Sequence, residues 1–519
     1  MSLYRNFFNV SAMTLISRIL GFVRDILIAA VLGSGMAADV FFAAFRFPNL
    51  FRRLFAEGVF NAAFIPMFSE MLEKQGREEA RLLAARIISW LFGFLLIFTI
   101  LAEIFMPQIM RLFVPGFVND KEKFELTVLL TRICFPYLAF MSLMAAYGAI
   151  LNGLGKFLAA AFAPVLLNIV LIITLIALVF LVDSNPIFAG FWLSVGVLIG
   201  GVAQLALVIW AVRKTGMMPK FIWPKMHADV NKFWLLALPV ILTGGVTQIN
   251  IFIGTIIASG AGGSISYLYY ADRLYQLPLG LIGIAIGVVL LPELSSHLST
   301  GRKEQAAKAM DKSLLFAMVL TLPAAAGLIA LSHPIISTLF ERGEFSASDS
   351  QTVAAALIGF SIGLPAFVLI KIFQPGFFAR QDTKTPTYFA IISVIINIVL
   401  SLILFPIYKH VGIAIATSVA AWTNLILLVF VLMRRRHFMI NKAQLLQHIL
   451  IILISVALAV FLYFSAIPLS SLLFGGGGFL IQVLTLGALI SVGMALYFLA
   501  IHLAKVQDIR KIFSAMKRS

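Results

Sequence analysis

Eight basic residues stand inside long apolar stretches of this chain: Arg18, Arg24, Arg46, Arg52, Arg53, Arg132, Arg273 and Lys371. An arginine at the centre of a membrane helix costs roughly 2.5–3.5 kcal/mol on insertion scales, so each one kept there needs a reason. The bland reasons are snorkelling to an interface and pairing with a buried carboxylate. Depth separates the cases. Arg18 lies about eight residues into its stretch, roughly 12 Å at the helical rise, and Arg24 lies near the middle of the same stretch. Arg52 and Arg273 lie about 15 and about nine residues into theirs. Arg132 is close to an end and reads as snorkelling. Guanidinium forks match phosphate oxygens two at a time and stay charged in any surroundings. The chemistry these residues support is therefore recognition of a phosphate or pyrophosphate. A cationic cargo would call for carboxylates instead.

Carboxylates are fewer in the apolar stretches: Asp25, Asp39, Glu57, Glu103 and Asp272 are the main ones. On an ideal helix Asp39, Arg46, Arg53 and Glu57 fall within about 40° of one face, which makes either a structural charge network or part of a site. Asp25 and Asp272 adjoin Arg24 and Arg273, but adjacent helical positions do not face each other, so neither pair is expected to close. Arg18 and Asp25 share a face, with Arg24 about 120° away. Both arginines reach one cavity only if the helix bends, and Gly21 is the natural place.

The elements that position these residues are membrane helices. Of 519 residues, 61% are hydrophobic and only 12% are charged, with a mean hydropathy of +1.03. A soluble domain carries about twice that share of charge. The apolar runs are long and continuous, which excludes the short alternating strands of a barrel. The expected fold class is an all-α polytopic membrane protein with about fourteen transmembrane helices. The net charge of +17 does not imply nucleic acid, because no soluble domain presents a basic face. With the N-terminus inside, inner loops and tails hold 26 of the 39 lysines and arginines, and outer loops hold five, Lys123 among them. Both termini are therefore expected in the cytoplasm. The single cysteine, Cys134, excludes an internal disulfide framework and a cysteine metal cluster. The first apolar stretch carries Arg18, Arg24 and Asp25, so it does not read as a cleavable signal. The mixed-charge stretch 71–86 reads as a solvated surface helix.

The chain also repeats itself at a spacing of about 227 residues. FIPMFSEMLEKQGREEA (64–80) meets LLPELSSHLSTGRKEQA (290–306), with Pro66 on Pro292 and Ala80 on Ala306. Pro107 in MPQIMRLFVPGF falls on Pro334 in HPIISTLFERGEF, and Asn168 in VLLNIVLI falls on Asn397 in VIINIVLS. Six spans separate the copies, so the lobes share one orientation and the repeat is parallel. Residues 1–220 form an N-lobe of helices 1–6, residues 221–440 a C-lobe of helices 7–12, and residues 441–519 add helices 13–14 and a tail. Paired repeats with a site between them are typical of transporters that alternate access by rocking. Arginines on the first, second and eighth spans place the anion site between the lobes.

At these residues the sequence resembles a known family. SAMTLISRILGFVRD (11–25), ADVFFAAFRFPNLFRRLFAEGVFNAAFIP (38–66), YYADRLYQLPLGLIGIAIGVVLLPELS (269–295) and PGFFARQDTKTP (375–386) are similar to the bacterial MurJ/MviN flippases of the multidrug/oligosaccharidyl-lipid/polysaccharide exporter superfamily. The resemblance runs over nearly the whole chain. It implies transport of lipid II, undecaprenyl-pyrophosphoryl-MurNAc-pentapeptide-GlcNAc, from the cytoplasmic to the periplasmic leaflet of the inner membrane. It implies no cofactor and no catalysis. The partners it implies are lipid II itself, membrane lipids and peptidoglycan synthases on the periplasmic side. The family's cationic cavity corresponds here to Arg18, Arg24 and Arg273. Asp39, Asn49, Arg52, Glu57, Ser266 and Lys371 also fall on family positions of importance. One departure is Gln276, where relatives can carry an acidic residue. The last two helices are expected beside a lipid-facing groove for the polyprenyl tail.

Two rivals remain distinct. One is a related exporter of another polysaccharide-linked lipid or a drug, which the long motifs disfavour. The other is an enzyme acting on a prenyl pyrophosphate. That chemistry calls for clustered carboxylates that hold magnesium, or for a histidine acid/base pair. No paired Asp motif occurs, and the seven histidines fall mostly in loops or near span ends. Helices 7 and 11 offer Thr247, Gln248, Asn250 and Asn397 to a coupling ion, but no carboxylate.

Overall fold

The computed structural model describes residues 3–52, 60, 62–181, 185–474 and 478–506. Among the described residues the regular structure is helical, with no strand. This is the solution a lipid solvent imposes, since a helix satisfies its own backbone groups. Nine helices among the described residues are long and apolar enough to cross a membrane. The helices are α1 (Leu3–Leu32), α2 (Met36–Arg52), α3 (Ile65–Lys74), α4 (Arg77–Ile104), α5 (Met106–Phe113), α6 (Lys121–Cys134), α7 (Tyr137–Gly153), α8 (Leu158–Leu181), α9 (Pro186–Arg213) and α10 (Ala228–Ala258). They continue with α11 (Ser264–Pro278), α12 (Ile284–Ser299), α13 (Lys303–Ala330), α14 (Ser332–Phe340), α15 (Ala347–Phe378), α16 (Lys384–Arg434), α17 (Lys442–Ala466), α18 (Ser470–Phe474) and α19 (Gly478–Leu503). The chain forms two compact units, Met1–Ser266 with Arg342–Phe345, and Tyr267–Glu341 with Ser346–Ser519.

The repeat read from the sequence is visible in the elements. α4 and α13 are both 28 residues long, and each is followed by a short helix with a proline in its first turns, Pro107 in α5 and Pro334 in α14. α6 and α7, separated at Phe135–Pro136, answer the single helix α15, which keeps Pro365 inside. The stretch 71–86 is not one helix. It breaks at Gly76, whose φ of +89° ends α3 at Lys74 and lets α4 start at Arg77. Only glycine takes that conformation without strain.

In the first unit α1 packs along α8, α8 and α7 along α9, and α2 against α6 and α9. With no hydrophobic drive between helices in lipid, close approach through small residues holds such pairs. A Cβ at Gly200 would come within 2.5 Å of Leu167, and one at Gly201 within 2.7 Å of Tyr137. Phenylalanines fill the remaining space: Phe41 stacks on Phe45 at 5.9 Å, and Phe47 meets Phe113 and Phe135 at 5.1 and 5.6 Å.

In the second unit α15 is the central helix, packed by α12, α13, α14 and α16. It starts at a capping box in which Ser346 and Asp349 exchange bonds, satisfying orphan donors of the first turn. The 51-residue α16 is two helices joined at Lys409, whose φ of +50° and ψ of −134° break the helical path. α17 and α19 attach to α13. The Tyr497 hydroxyl donates to Val319 O at 3.0 Å, Gln444 Nε2 donates to Asp311 at 2.6 Å, and Leu458 and Leu462 pack over Gly493. On the opposite end of α15, Asp382 accepts from Arg435 at 2.6 Å and from the Thr385 N–H and hydroxyl at 3.0 and 2.7 Å, pinning the start of α16 to its end.

Candidate functional site

The first unit keeps three kinds of basic residue in its helices. Arg24 is 6% exposed and fully engaged. Its Nε and Nη2 donate to Asp25 Oδ1 at 3.0 and 2.7 Å, and its Nη1 donates to Asn168 Oδ1 at 2.9 Å. Asn168 in turn donates to Ser17 O at 3.0 Å, so α8 carries a polar socket for two residues of α1. This corrects the expectation that Arg24 and Asp25 would not meet. Their Cα–Cβ bonds diverge, but the arginine stem is long enough to fold back around the helix, and burial gives it no water to reach instead. Gly21 lies beneath the Asn168 amide, 3.6 Å from the place a Cβ would occupy, within a continuous α1.

Arg46 is the second kind. Its Nη1 donates at 3.1 Å to the hydroxyl of Thr255, a fully buried residue of α10. Arg18 is the third kind. It is exposed on α1, and no hydrogen bond or ion pair reaches it from the described residues. Arg52 closes α2, its side chain lying outside the described residues, as does Glu57 entirely. The helical stripe expected to link Asp39, Arg46, Arg53 and Glu57 is therefore seen only at its first two members, and these turn to different partners. Asn49 donates to Phe45 O, one turn back in its own helix, at 3.2 Å.

Asp39 is fully buried and accepts four bonds: from Lys123 Nζ at 2.7 Å, Gly263 N–H at 2.7 Å, and the Ser266 N–H and hydroxyl at 3.0 Å each. Ser266 Oγ also lies 2.6 Å from Ser34 O. Lys123 was expected in a solvated outer loop. It stands instead in the first turn of α6, 7% exposed, with its ammonium 4.0 Å over the Phe117 ring. Nothing in a KEKFE stretch announces burial. The signal that could have found it is the carboxylate of Asp39, which needs a cation wherever it is desolvated.

In the second unit Arg273 lies on α11, with its guanidinium 4.7 Å over the Tyr269 ring and donating to the Tyr269 hydroxyl at 2.7 Å. Its sequence neighbour Asp272 instead accepts from Gln276, one turn further on. Here adjacent helical residues do face apart, as expected. Five residues of π-helix follow Pro278, from Leu279 to Gly283. Such widened turns recur at functional sites. Beside this turn, 3.6 Å from the place a Cβ would take at Gly283, lies the stem of Lys371. Lys371 is exposed two turns before the end of α15, and no described residue pairs with it.

The comparisons with known proteins agree over most of the chain. The family profile described as "Lipid II flippase MurJ" matches residues 28–474. The "Probable lipid II flippase MurJ" of Rhizobium tropici is 46% identical across 100% of this chain and 97% of its own. The chain belongs to the MurJ lipid II flippase family. A more distant member, the "Lipid II flippase MurJ" of Burkholderia cenocepacia, is 35% identical over 84% of each chain. A solved structure titled "Lipid II flippase MurJ, inward closed conformation" superposes with a TM-score of 0.77 and 29% identity, covering 94% of this chain and 98% of that one. An inward-facing MATE family transporter shares the fold at a TM-score of 0.68 and 15% identity, covering 83% and 98%. MurJ proteins are integral, multi-pass proteins of the inner membrane and transporters rather than catalysts, and this chain is one of them.

Proposed function

We propose that this chain flips lipid II from the cytoplasmic to the periplasmic leaflet by alternating access, supplying precursor for cell-wall synthesis. The full-length family match supports this reading, together with the kind of charge its helices keep. Arg18, at the middle of α1, and Lys371, in the last quarter of α15, are cations presented from apolar helices with no carboxylate against them among the described residues. Leaving such charges unneutralised is costly unless an anion visits. A lipid pyrophosphate meets that need, whereas a cationic drug would be repelled.

Within this reading Arg18, Arg24, Arg52, Arg273 and Lys371 serve the pyrophosphate, with different freedom to do so. Arg18 and Lys371 engage it directly. Arg273 swings from a neutral phenol. Arg24, fixed by Asp25 and Asn168, supplies positive potential from a set position. Asp39 and Ser266 spend their bonds on each other and on Lys123 and Gly263, and so act on helix geometry rather than on cargo. Asn49 and Glu57 remain in the proposed set through the family resemblance. The synthases that consume the precursor outside are the natural downstream partners.

The test is reconstitution of the purified chain in vesicles carrying labelled lipid II on one face. Expected is translocation of chemically unchanged lipid II, with no competition from cationic drugs. A hydrolysed product, or drug transport without lipid II translocation, would overturn the proposal.

A further inference from the structure

Eleven residues between α9 and α10, 217–227, form no helix, yet they do not hang free. The Ile222 N–H donates to Ser89 Oγ of α4 at 3.1 Å. The Phe221 ring meets Phe92 edge-on at 6.0 Å, and Pro224 lies 3.4 Å from the place a Cβ would take at Gly93. Both ends are fastened as well: Arg77 donates to Thr215 O at 2.7 Å, and Arg86 pairs with Asp229. These anchor points fix depth. Arg86 is the last charged residue of α4 before an apolar run that reaches Ala102. Ser89, Phe92 and Gly93 follow it by one to two turns, about 5–10 Å along the axis.

Met217 and Pro219 are buried, and Ile222 and Pro224 turn towards α4. Phe221 and Trp223 are 63% and 77% exposed, Phe221 with one edge still against Phe92, and Lys220, Lys225 and Met226 are exposed beside them. No carboxylate occurs between Lys214 and Ala228. Lys214 adds a further cation, its ammonium 3.6 Å over the Trp210 ring. Large aromatic faces at this depth match the boundary between headgroups and acyl chains, where Trp concentrates and apolar faces insert by about 5–10 Å. Lysine stems can run along that boundary and raise their ammonium groups to the phosphates. Non-helical backbone excludes any deeper placement.

We propose that residues 217–227 form an interfacial strap in the leaflet that the charge asymmetry assigns to the cytoplasm, and that Lys220 and Lys225 there recruit anionic phospholipid headgroups. The strap ties α9 to α10 across the face of α4, so the lipid it gathers lies against the first unit. The proposal is independent of the cargo assignment.

The test uses the full chain in a Cys134→Ala background, since the one native thiol is buried. Bimane is attached at Trp223→Cys or, to keep the tryptophan, at Met226→Cys. The protein is placed in phosphatidylcholine vesicles in which a fixed minor fraction of lipid is brominated near the headgroup, either as phosphatidylglycerol or as phosphatidylcholine. The expected result is quenching by both lipids, several-fold stronger for phosphatidylglycerol, because lysines near the surface attract anionic headgroups. Lys220→Gln with Lys225→Gln should equalise the two without changing the unfolding temperature, because both side chains are exposed. Equal quenching in the parent protein would overturn the lipid recruitment. Quenching by aqueous iodide as strong as at Glu73→Cys, with none by bromolipid, would overturn the strap itself.

Discussion

Asn168 and Asn397 stand at the same position in two copies of one repeat, and each is 6% exposed. The first accepts a 2.9 Å bond from Arg24 and holds Ser17 of α1. The second accepts long, 3.4 Å bonds from the hydroxyls of Ser401 and Thr417. At the repeat spacing, Gly21, Arg24 and Asp25 of α1 answer to Gln248, Ile251 and Phe252 of α10. The polar socket thus belongs to the fold, while the charge was placed in one copy. Asp39 and Ser266 tell the same story, being repeat equivalents of which only the first carries a carboxyl group. Arg46 and Arg273 are the exception, an arginine kept in both copies. One donates to a buried threonine and the other lies on a tyrosine. The two copies share positions, and their side chains make them unlike in charge.

The largest expected effect breaks the charged copy. Asp39→Ala strands the buried Lys123 ammonium and should cost about 3–5 kcal/mol, read as a fall in unfolding temperature in detergent. Adding Lys123→Met should recover most of it. A neutral single substitution would show that the ion pair does not hold these helices. Next come the two asparagines. Asn168→Leu removes a charge-assisted bond to Arg24 and should cost roughly 1.5–3 kcal/mol, whereas Asn397→Leu should cost no more than about 1 kcal/mol. Equal losses would erase the asymmetry.

The smallest effect concerns Asp382, in the turn between α15 and α16. Burial would raise its pKa, but the Arg435 hydrogen bond, the two bonds from Thr385 and the Arg435 charge outweigh burial and hold it at about 2. A carboxyl held down in the folded state stabilises above its unfolded value, and that contribution is lost as pH falls from about 4 towards 2. Because the Arg435 side chain is 43% exposed, the whole effect should stay within about 1 kcal/mol. Arg435→Gln should flatten the stability profile across that window, lowering stability near neutrality by up to that amount and leaving it unchanged near pH 2.

Helical class, the repeat and the arginines within apolar helices were legible in the sequence because each rests on local pattern: long apolar runs, repeated prolines, charges within them. What the pattern could not reach was partnership. Lys123 sits among charged neighbours and reads as solvated, yet it neutralises Asp39 from 84 positions away. The Arg24–Asp25 bond was missed because helical geometry constrains Cβ directions, not the reach of a long side chain. Asn168 was noticed only as a repeat anchor. A lone amide in an apolar run signals a buried polar partner, and its partner proved to be the arginine already in view.

We propose that cations of these helices, Arg273 among them, bind the pyrophosphate of lipid II. Arg273→Ala removes a side chain held by Tyr269 and leaves the Asp39 and Arg24 networks intact. The most direct measurement follows how much lipid II becomes accessible to a modifying enzyme on the outer face in cells relying on this variant. Loss of one or two charge-assisted bonds predicts a fall of at least about tenfold, with an unfolding temperature near that of the parent. Parental accessibility in a stably folded Arg273→Ala protein would contradict the account.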